Sequence, residues 1–343
     1  MSAGNTTYLP MDQCFNVSSQ CPVENTIYGY YPSVGANCFF VAFFFMAAVM
    51  QLYGGIRYKT WTYLIAMFLA CIDQGLGYIG RVMLHQNPYS QVGFQIQICC
   101  LILGPAFNSA AIYLVLKHIT LCFGPEYSRI PPRWYTWIFI AGDLLSLVIQ
   151  AIGGGMAATS ENDNARQELG DHLMMAGIAL QVVTLLFFGT AALMYILARR
   201  RAQNVPLSTE ARKFLNSTLF KCFAVGFTLA FAAIFIRCVY RIVEMAGKSR
   251  SSSVVVKILT TGHKGGWGNP IMQSQTPFIV LDGCMVTLAT LMQTIFHPGW
   301  CFPRLSSAYV APPDRSSSSA RPTQSELSTI ETDKNAPDSA EEV

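Results

Sequence analysis

The stretch ANCFFVAFFFMAAVMQLYGG occupies residues 36–55 and contains no charged side chain. A helix of about 20 apolar residues is about 30 Å long, which is the thickness of the hydrocarbon core of a bilayer. Six further apolar stretches of similar length follow, at residues 60–81, 94–118, 135–156, 173–197, 215–240 and 278–297. This pattern predicts an all-α polytopic membrane protein with seven transmembrane helices.

The composition supports a membrane protein and excludes other classes. Hydrophobic residues make up 52% of the chain and charged residues only 12%, about half the charged fraction of a soluble domain. The net charge of +4 comes from basic residues spread over several loops, so no nucleic-acid partner is predicted. Gly247-Lys248-Ser249 is not a phosphate-binding loop, because no glycine stands five residues before Gly247. We therefore expect neither a nucleotide partner nor a cofactor.

The distribution of Lys and Arg predicts the orientation of the helices. Basic residues concentrate in the loops that follow odd-numbered spans: Arg57, Lys59, Lys117, Arg129, Arg133, Arg199, Arg200, Arg201, Arg212 and Lys213. Because such loops are usually cytosolic, the N-terminus is predicted outside and the C-terminus in the cytosol. The predicted organisation is an extracellular segment over 1–31, a seven-helix domain over 32–300 and a disordered cytosolic tail over 301–343. The plasma membrane is the expected location, with an endomembrane as the alternative.

The N-terminal segment carries two features of extracellular chains. Glycosylation sequons begin at Asn5 and Asn16. Cys14 and Cys21 are close enough in sequence to close a small disulfide loop. Both features agree with an N-terminus outside the cell.

The loop between the sixth and seventh spans, residues 246–276, does not fit the charge pattern. Residues 247–265 contain Lys248, Arg250, Lys257 and Lys264, although the topology places this loop outside. Gly247-Lys248-Ser249 is compatible with codons that contain the splice-donor sequence GTAAGT. We hypothesise that residues 247–265 are a retained intron in the gene model; a natural insertion is the alternative.

Polar residues inside the apolar stretches are the candidate functional residues. A charge at membrane depth costs about 2.5–3.5 kcal/mol on insertion scales, so it needs a partner, a cavity or a substrate. The candidates for a translocation path are Asp73, Gln74, Tyr78, Arg81, Asn108, Asp143, Gln150, Gln181, Arg237, Arg241, Glu244 and Asp282. A polar path between helices and a network of interhelical salt bridges both fit this set.

Three of these positions carry more specific expectations. Arg81 lies at the boundary of its span and could extend into the headgroups. Arg241 and Glu244 are three residues apart on one helix face and could pair. Gly104-Pro105 removes a backbone hydrogen bond and is expected to kink the third span.

Short motifs across all seven spans resemble one family. They are Gly77-Tyr78-Ile79-Gly80-Arg81, Gly104-Pro105-Ala106-Phe107, Gly142-Asp143 with Gln150, Arg237-Cys238-Val239-Tyr240-Arg241 with Glu244, Asn269-Pro270-Ile271-Met272-Gln273, Leu281-Asp282-Gly283 and His297-Pro298-Gly299. From about residue 30 to 299, the chain resembles the fungal RTA-like lipid-translocating exporters. The resemblance implies movement of sphingoid long-chain bases and resistance to toxic amphiphiles, with one branch linked to porphyrin movement.

The chain departs from the family pattern at two positions. The family carries acidic residues where this chain has Gln74 and Gln275, so a contact of those carboxylates is altered or lost. For an amphiphilic lipid substrate, Asp143 and Asp282 could accept hydrogens from an ammonium or hydroxyl group. Arg237 and Arg241 could serve a phosphorylated head instead.

A heptahelical receptor or sensor of lipid-like ligands would share the span count and the polar residues, and it remains the alternative. An enzyme is not expected, because the histidines fall at opposite sides of the membrane and no metal site is predicted. The oligomeric state is left open.

Overall fold

The computed structural model describes residues 13–123, 132–159, 164–201, 217–246 and 272–301. Within these ranges the regular structure is helical, with no strand, and seven helices are long and apolar enough to cross a membrane. The predicted fold class is thereby confirmed, whereas the orientation of the termini stays a prediction. The sequon at Asn5, the suspected intron 247–265 and the tail beyond Cys301 lie outside the described residues, as does the second unit Tyr309–Val343.

The first six helices run as single α-helices. They are α1 Val34–Tyr58, α2 Trp61–Gln86, α3 Gln91–Phe123, α4 Pro132–Thr159, α5 Asn164–Arg201 and α6 Thr218–Ala246. Most are a few residues longer than their apolar stretches, because helical hydrogen bonding continues into polar turns beyond the hydrocarbon core. The clearest case is α5, which begins at Asn164 instead of residue 173.

The seventh span, Gln275–Cys301, changes its winding along its length. It begins with the turn Gln275–Pro277, which continues as the π-helical segment Phe278–Cys284. The α-helix Met285–Ile295, named α7 here, follows, and the short helix α8, Pro298–Cys301, ends the described chain. This span contacts α1, α3 and α6, so it lies inside the bundle where side chains from several helices meet.

Glycines allow two pairs of helices to approach closely. A β-carbon at Gly80 of α2 would lie 2.8 Å from the Gly93 carbonyl oxygen and 2.8 Å from the Gln97 nitrogen of α3. A β-carbon at Gly153 of α4 would lie 2.6 Å from the Met174 nitrogen of α5. Such small-residue contacts are a common basis of helix association in membranes, since they bring backbones into van der Waals contact.

The segment 13–33 covers the ends of α2 and α3, and we call this end of the bundle the N-terminal face. A disulfide joins Cys14 to Cys21. The Tyr89 hydroxyl donates to the Pro22 carbonyl at 2.7 Å, and the Asn87 amide donates to the Phe15 carbonyl at 2.9 Å. The backbone of the segment is thereby fixed to the loop between α2 and α3.

We expect the double substitution Cys14→Ser/Cys21→Ser to loosen the segment 13–33 and leave the helices folded. The disulfide spans a sequence separation of seven residues, and closing a loop of this size contributes about 2.5 kcal/mol in the chain-entropy model. Limited proteolysis of the purified protein should show cleavage within residues 13–33 at least several-fold faster. The control is Cys38→Ser, which removes an exposed free thiol from α1. Equal cleavage rates in the two variants would contradict this expectation.

Candidate functional site

Four polar residues form a stripe along the seventh span. Asp282, Thr290, Gln293 and His297 are separated by eight, three and four residues. Thr290 and Gln293 lie on one side of α7, Asp282 lies in the preceding π-helical segment, and His297 follows the end of the helix. The exposed fractions of the four residues are 0%, 0%, 0% and 1%. We call these residues the polar stripe. It runs from the half of the bundle near the N-terminal face to the opposite face.

Arg237 joins three helices beside the first residue of the stripe. Its Nη2 donates to the Leu101 carbonyl of α3, and its Nε lies 3.0 Å from Asp282 Oδ1. The Nε–H is not aligned for a hydrogen bond, so the contact with Asp282 is an ion pair. The Leu101 carbonyl is available because Pro105, four residues later, has no N–H to donate to it.

Asp282 lies within the π-helical segment Phe278–Cys284. Single turns of π-helix are frequent at functional sites, because they re-aim side chains. A β-carbon at the adjacent Gly283 would lie 2.6 Å from the Phe40 ring and 3.2 Å from the Tyr78 hydroxyl. Gly283 thus allows Tyr78 to pack close to the backbone beside Asp282.

Tyr78 presents a buried hydroxyl group next to this ion pair. Its ring packs against Phe40 and Phe44, with centroid separations of 4.7 and 5.8 Å. The hydroxyl has no hydrogen-bond partner among the residues that the structure describes. It therefore retains the capacity to bind a polar group.

Gln74 and Asp73 occupy different environments on α2. Gln74 is fully buried against Gly104, and neither amide atom has a hydrogen-bond partner within the described ranges. Asp73 is half-buried and lies on another side of the helix. The structure places Gln74 in the interior and leaves Asp73 outside the cluster around Arg237.

Asp143 belongs to a separate polar cluster between α3 and α4. Its Oδ2 accepts hydrogen bonds from the Ser109 hydroxyl at 2.7 Å and from the Tyr113 hydroxyl at 3.0 Å. The neighbouring Asn108 amide donates to the Thr290 hydroxyl at 3.3 Å. α3 therefore connects the Asp143 cluster to the polar stripe through the candidate residue Asn108.

Polar residues of α4 and α5 and the arginines of α6 line a small cavity. Gln150, Gln181, Arg237 and Arg241 line a space of about 10 Å³, close to the ~10–15 Å³ that one water molecule needs. Arg241 also pairs with Glu244 at 2.5 Å, and both side chains are buried. Their pairing agrees with the spacing of the two residues along the helix.

Arg81 is buried at the N-terminal face, which corrects the expectation that it could extend into the headgroups. Only 1% of it is exposed. Its guanidinium carbon lies 3.8 Å from the centre of the Phe278 ring and 5.1 Å from that of Tyr28, and its Nη2 donates to the Tyr30 hydroxyl at 2.8 Å. The cause of the burial is the segment 13–33, whose aromatic residues cover the guanidinium and attract it through their π faces.

Tyr28 was not a candidate in the sequence, and the structure gives it a central place at the N-terminal face. Its hydroxyl accepts a hydrogen bond from the Gln97 amide at 2.6 Å. Burial raises the pKa of Tyr28 to about 12, although the positive charge of Arg81 opposes this shift. The hydroxyl thus stays protonated at physiological pH.

The other end of the polar stripe lies among residues of α1 and α2. The Tyr63 hydroxyl donates to the Gln293 carbonyl at 2.9 Å, and the Gln51 amide donates to the Thr294 hydroxyl at 2.9 Å. The Gly299 N–H donates to His297 Nδ1 at 3.0 Å. His297 Nε2 faces Gly54 and has no hydrogen-bond partner in the described part of the chain. Thr290, Gln293 and His297 were not among the sequence candidates, although polar side chains at this spacing within an apolar span could have indicated them.

Many polar atoms along this interior lack partners within the described residues. They include Arg81 Nε and Nη1, Gln74 Oε1 and Nε2, Tyr78 OH, Asp282 Oδ2, Asn108 Oδ1, Gln293 Oε1 and Nε2, and His297 Nε2. Each such group costs about 1–3 kcal/mol when it is buried without a hydrogen bond.

The residues that the structure describes include no group of three or more His, Cys, Asp or Glu side chains that could hold a metal ion.

The helices and their polar interior define the class of this molecule, a multi-pass membrane protein with seven transmembrane helices. The family model described as RTA1 like protein matches residues 67–305. The chain belongs to this RTA1-like family.

Several characterised relatives share sequence with the chain. It is 31% identical over 264 residues to the "Sphingoid long-chain base transporter RSB1" of Saccharomyces cerevisiae strain Lalvin EC1118, covering 69% of this chain and 64% of that protein. It is 26% identical over 321 residues to the "Lipid-translocating exporter-like protein RTA1" of Leptosphaeria maculans, covering 89% and 57%. It is 30% identical over 184 residues to the "Protoporphyrin uptake protein 1" of Saccharomyces cerevisiae, covering 52% and 56%. The chain thus matches less than two thirds of the length of these relatives. No solved structure matches it.

Proposed function

We propose that this protein moves amphiphilic lipids, such as sphingoid long-chain bases, across the membrane. Two of the relatives are named as a sphingoid long-chain base transporter and a lipid-translocating exporter-like protein. These names and the family membership favour a transporter over an enzyme. In this proposal the N-terminal face is extracellular, the opposite face is cytosolic, and the plasma membrane is the location.

The observation that carries the proposal is the row of unpartnered polar atoms in the bundle interior. They extend along the bilayer depth from Arg81 through Tyr78 and Asp282 to Gln293 and His297. A protein whose interior served only for packing would replace such groups by apolar ones, because each buried unpaired group is destabilising. A polar headgroup that passes between the helices would use them in turn as hydrogen-bond partners.

The chemistry of these residues suits a long-chain base. Such a lipid has a cationic amino-diol head and an apolar tail, so its movement requires that the head be shielded while the tail stays in lipid. The Asp282 carboxylate can accept hydrogen bonds from the ammonium group. Gln74, Tyr78 and Gln293 can bond to the hydroxyl groups without adding charge.

The substitution Gln293→Leu distinguishes an effect on transport from an effect on protein stability. It removes two buried amide atoms that have no partner among the described residues, so the thermal stability should stay equal or rise. If the amide lies on the path, the flux of a fluorescent long-chain base in proteoliposomes should fall about tenfold, because a lost hydrogen bond raises the barrier by about 1.4 kcal/mol.

The matched control is Asp73→Asn, which removes a carboxyl group from a half-buried position outside the interior of the helix bundle. It should leave the flux within about twofold, because Asp73 does not face the polar stripe. An undiminished flux in the Gln293→Leu protein would overturn the path. Saturable binding of the long-chain base by the native protein without any flux would favour a receptor instead.

A further inference from the structure

A second cavity lies at the face opposite the N-terminal segment, beside the His297 end of the polar stripe. Its volume is about 180 Å³, far above the ~10–15 Å³ that one water molecule needs. Its polar lining comes from the link between α1 and α2, from the first turn of α2 and from α3: Lys59, Thr60, Thr62 and His118. Leu114 and Pro298 contribute apolar walls. A ligand with a compact polar group would fit this combination.

The N-terminus of α2 opens into this cavity. α2 is 26 residues long, and no side chain caps its first turn. The first N–H groups of such a helix have no partner within the helix, and the helix dipole adds a partial positive charge there. Trp61, Thr62 and Tyr63 form this first turn and line the cavity.

The side chains that line the cavity are independent evidence for a ligand. Thr60 lines it and is only 9% exposed, and its buried hydroxyl has no hydrogen-bond partner among the described residues. Lys59 contributes a positive charge from the preceding position. His118 donates from Nδ1 to the Leu114 carbonyl at 2.7 Å, which leaves Nε2 as a hydrogen-bond acceptor at the cavity.

We propose that this cavity binds a phosphate group, either the headgroup of an anionic lipid or free phosphate. A helix N-terminus, a lysine and a hydroxyl donor together provide the positive potential and the donors that phosphate oxygens require. The site adjoins the polar stripe at Tyr63 and Pro298, and its occupancy does not depend on the transport proposal.

The test compares ligand-dependent stabilisation of the full-length purified protein. Thermal unfolding is followed with inorganic phosphate against chloride at equal ionic strength, and with short-chain phosphatidic acid against phosphatidylcholine. The variants are Lys59→Asn, which tolerates the left-handed backbone at this position (φ 54°), and Thr60→Val. Each should weaken phosphate binding about tenfold, because a charge-assisted or buried hydrogen bond is lost. The control is Arg57→Gln, an exposed basic residue outside the cavity lining.

Every outcome is informative. Stabilisation by both ligands, reduced in Lys59→Asn and Thr60→Val but not in Arg57→Gln, supports a site for the phosphate group itself. A response to phosphatidic acid alone assigns the site to a lipid headgroup, and a response to inorganic phosphate alone assigns it to the soluble anion. The proposal is overturned if neither ligand stabilises the native protein, or if all three variants lose binding equally.

Discussion

Replacing Asp282 by Leu should lower the free energy of unfolding by about 3–5 kcal/mol, because it leaves the Arg237 guanidinium buried without its counter-ion. The two side chains are 0% and 3% exposed, and the Nε–Oδ1 distance is 3.0 Å. Neither residue can reach water by a small rotation, since both lie inside the bundle. Thermal unfolding of the detergent-solubilised protein, together with its abundance in membranes, would measure the loss.

The double substitution Arg237→Met/Asp282→Leu is the matched control. Removal of both members of a buried ion pair is often close to neutral, so the double variant should recover most of the stability. If the ion pair lies on the path of the lipid headgroup, transport should stay low in this stable protein. A double variant as unstable as Asp282→Leu would show that the two charges do not compensate each other, contrary to the geometry.

The second large effect is expected for Gly153→Ala, which should destabilise the protein by about 1–3 kcal/mol. The added β-carbon would lie 2.6 Å from the Met174 nitrogen and 2.7 Å from the Gly170 carbonyl oxygen. Both are backbone atoms of α5, so the contact can be relieved only by separating α4 from α5. The midpoint of thermal unfolding would report this change.

Gly155→Ala, two residues further along the same helix, isolates the steric cause. A β-carbon at Gly155 would meet nothing within 4 Å. This substitution should be neutral or stabilise the protein by up to about 1 kcal/mol, since alanine loses less conformational entropy than glycine in a helix. The close approach of α4 and α5 would be refuted by equal unfolding midpoints for the two variants.

The membrane fold could be predicted from the sequence because hydrophobic length alone determines a transmembrane helix. Helix ends were less predictable, as at Asn164, because polar turns continue a helix without any hydrophobic signal. The π-helical winding around Asp282 could not be predicted either. Gly283 in this segment packs against Phe40 and Tyr78, which belong to other helices and are not neighbours in the sequence.

The candidate site was predicted in part. Polar residues at membrane depth identified Gln74, Arg237 and Asp282, because their burial in lipid would be unfavourable. The list did not separate Asp73, which lies outside the interior, from its neighbour Gln74. The aromatic groups around Arg81 were missed for another reason. Tyr28 and Tyr30 lie in an irregular segment, where no periodic pattern shows which side chains turn inward.

Pro105 has a consequence for how α3 is oriented in the bundle. Proline is usually regarded as a residue that disturbs a helix. Here the Leu101 carbonyl that it leaves free accepts a hydrogen bond from the Arg237 guanidinium. A rotation of α3 by one residue would turn that carbonyl by about 100° and break the contact. The hydrogen bond that Pro105 cannot make therefore fixes the rotational orientation of α3 against α6, because the free Leu101 carbonyl binds Arg237 at only one angle.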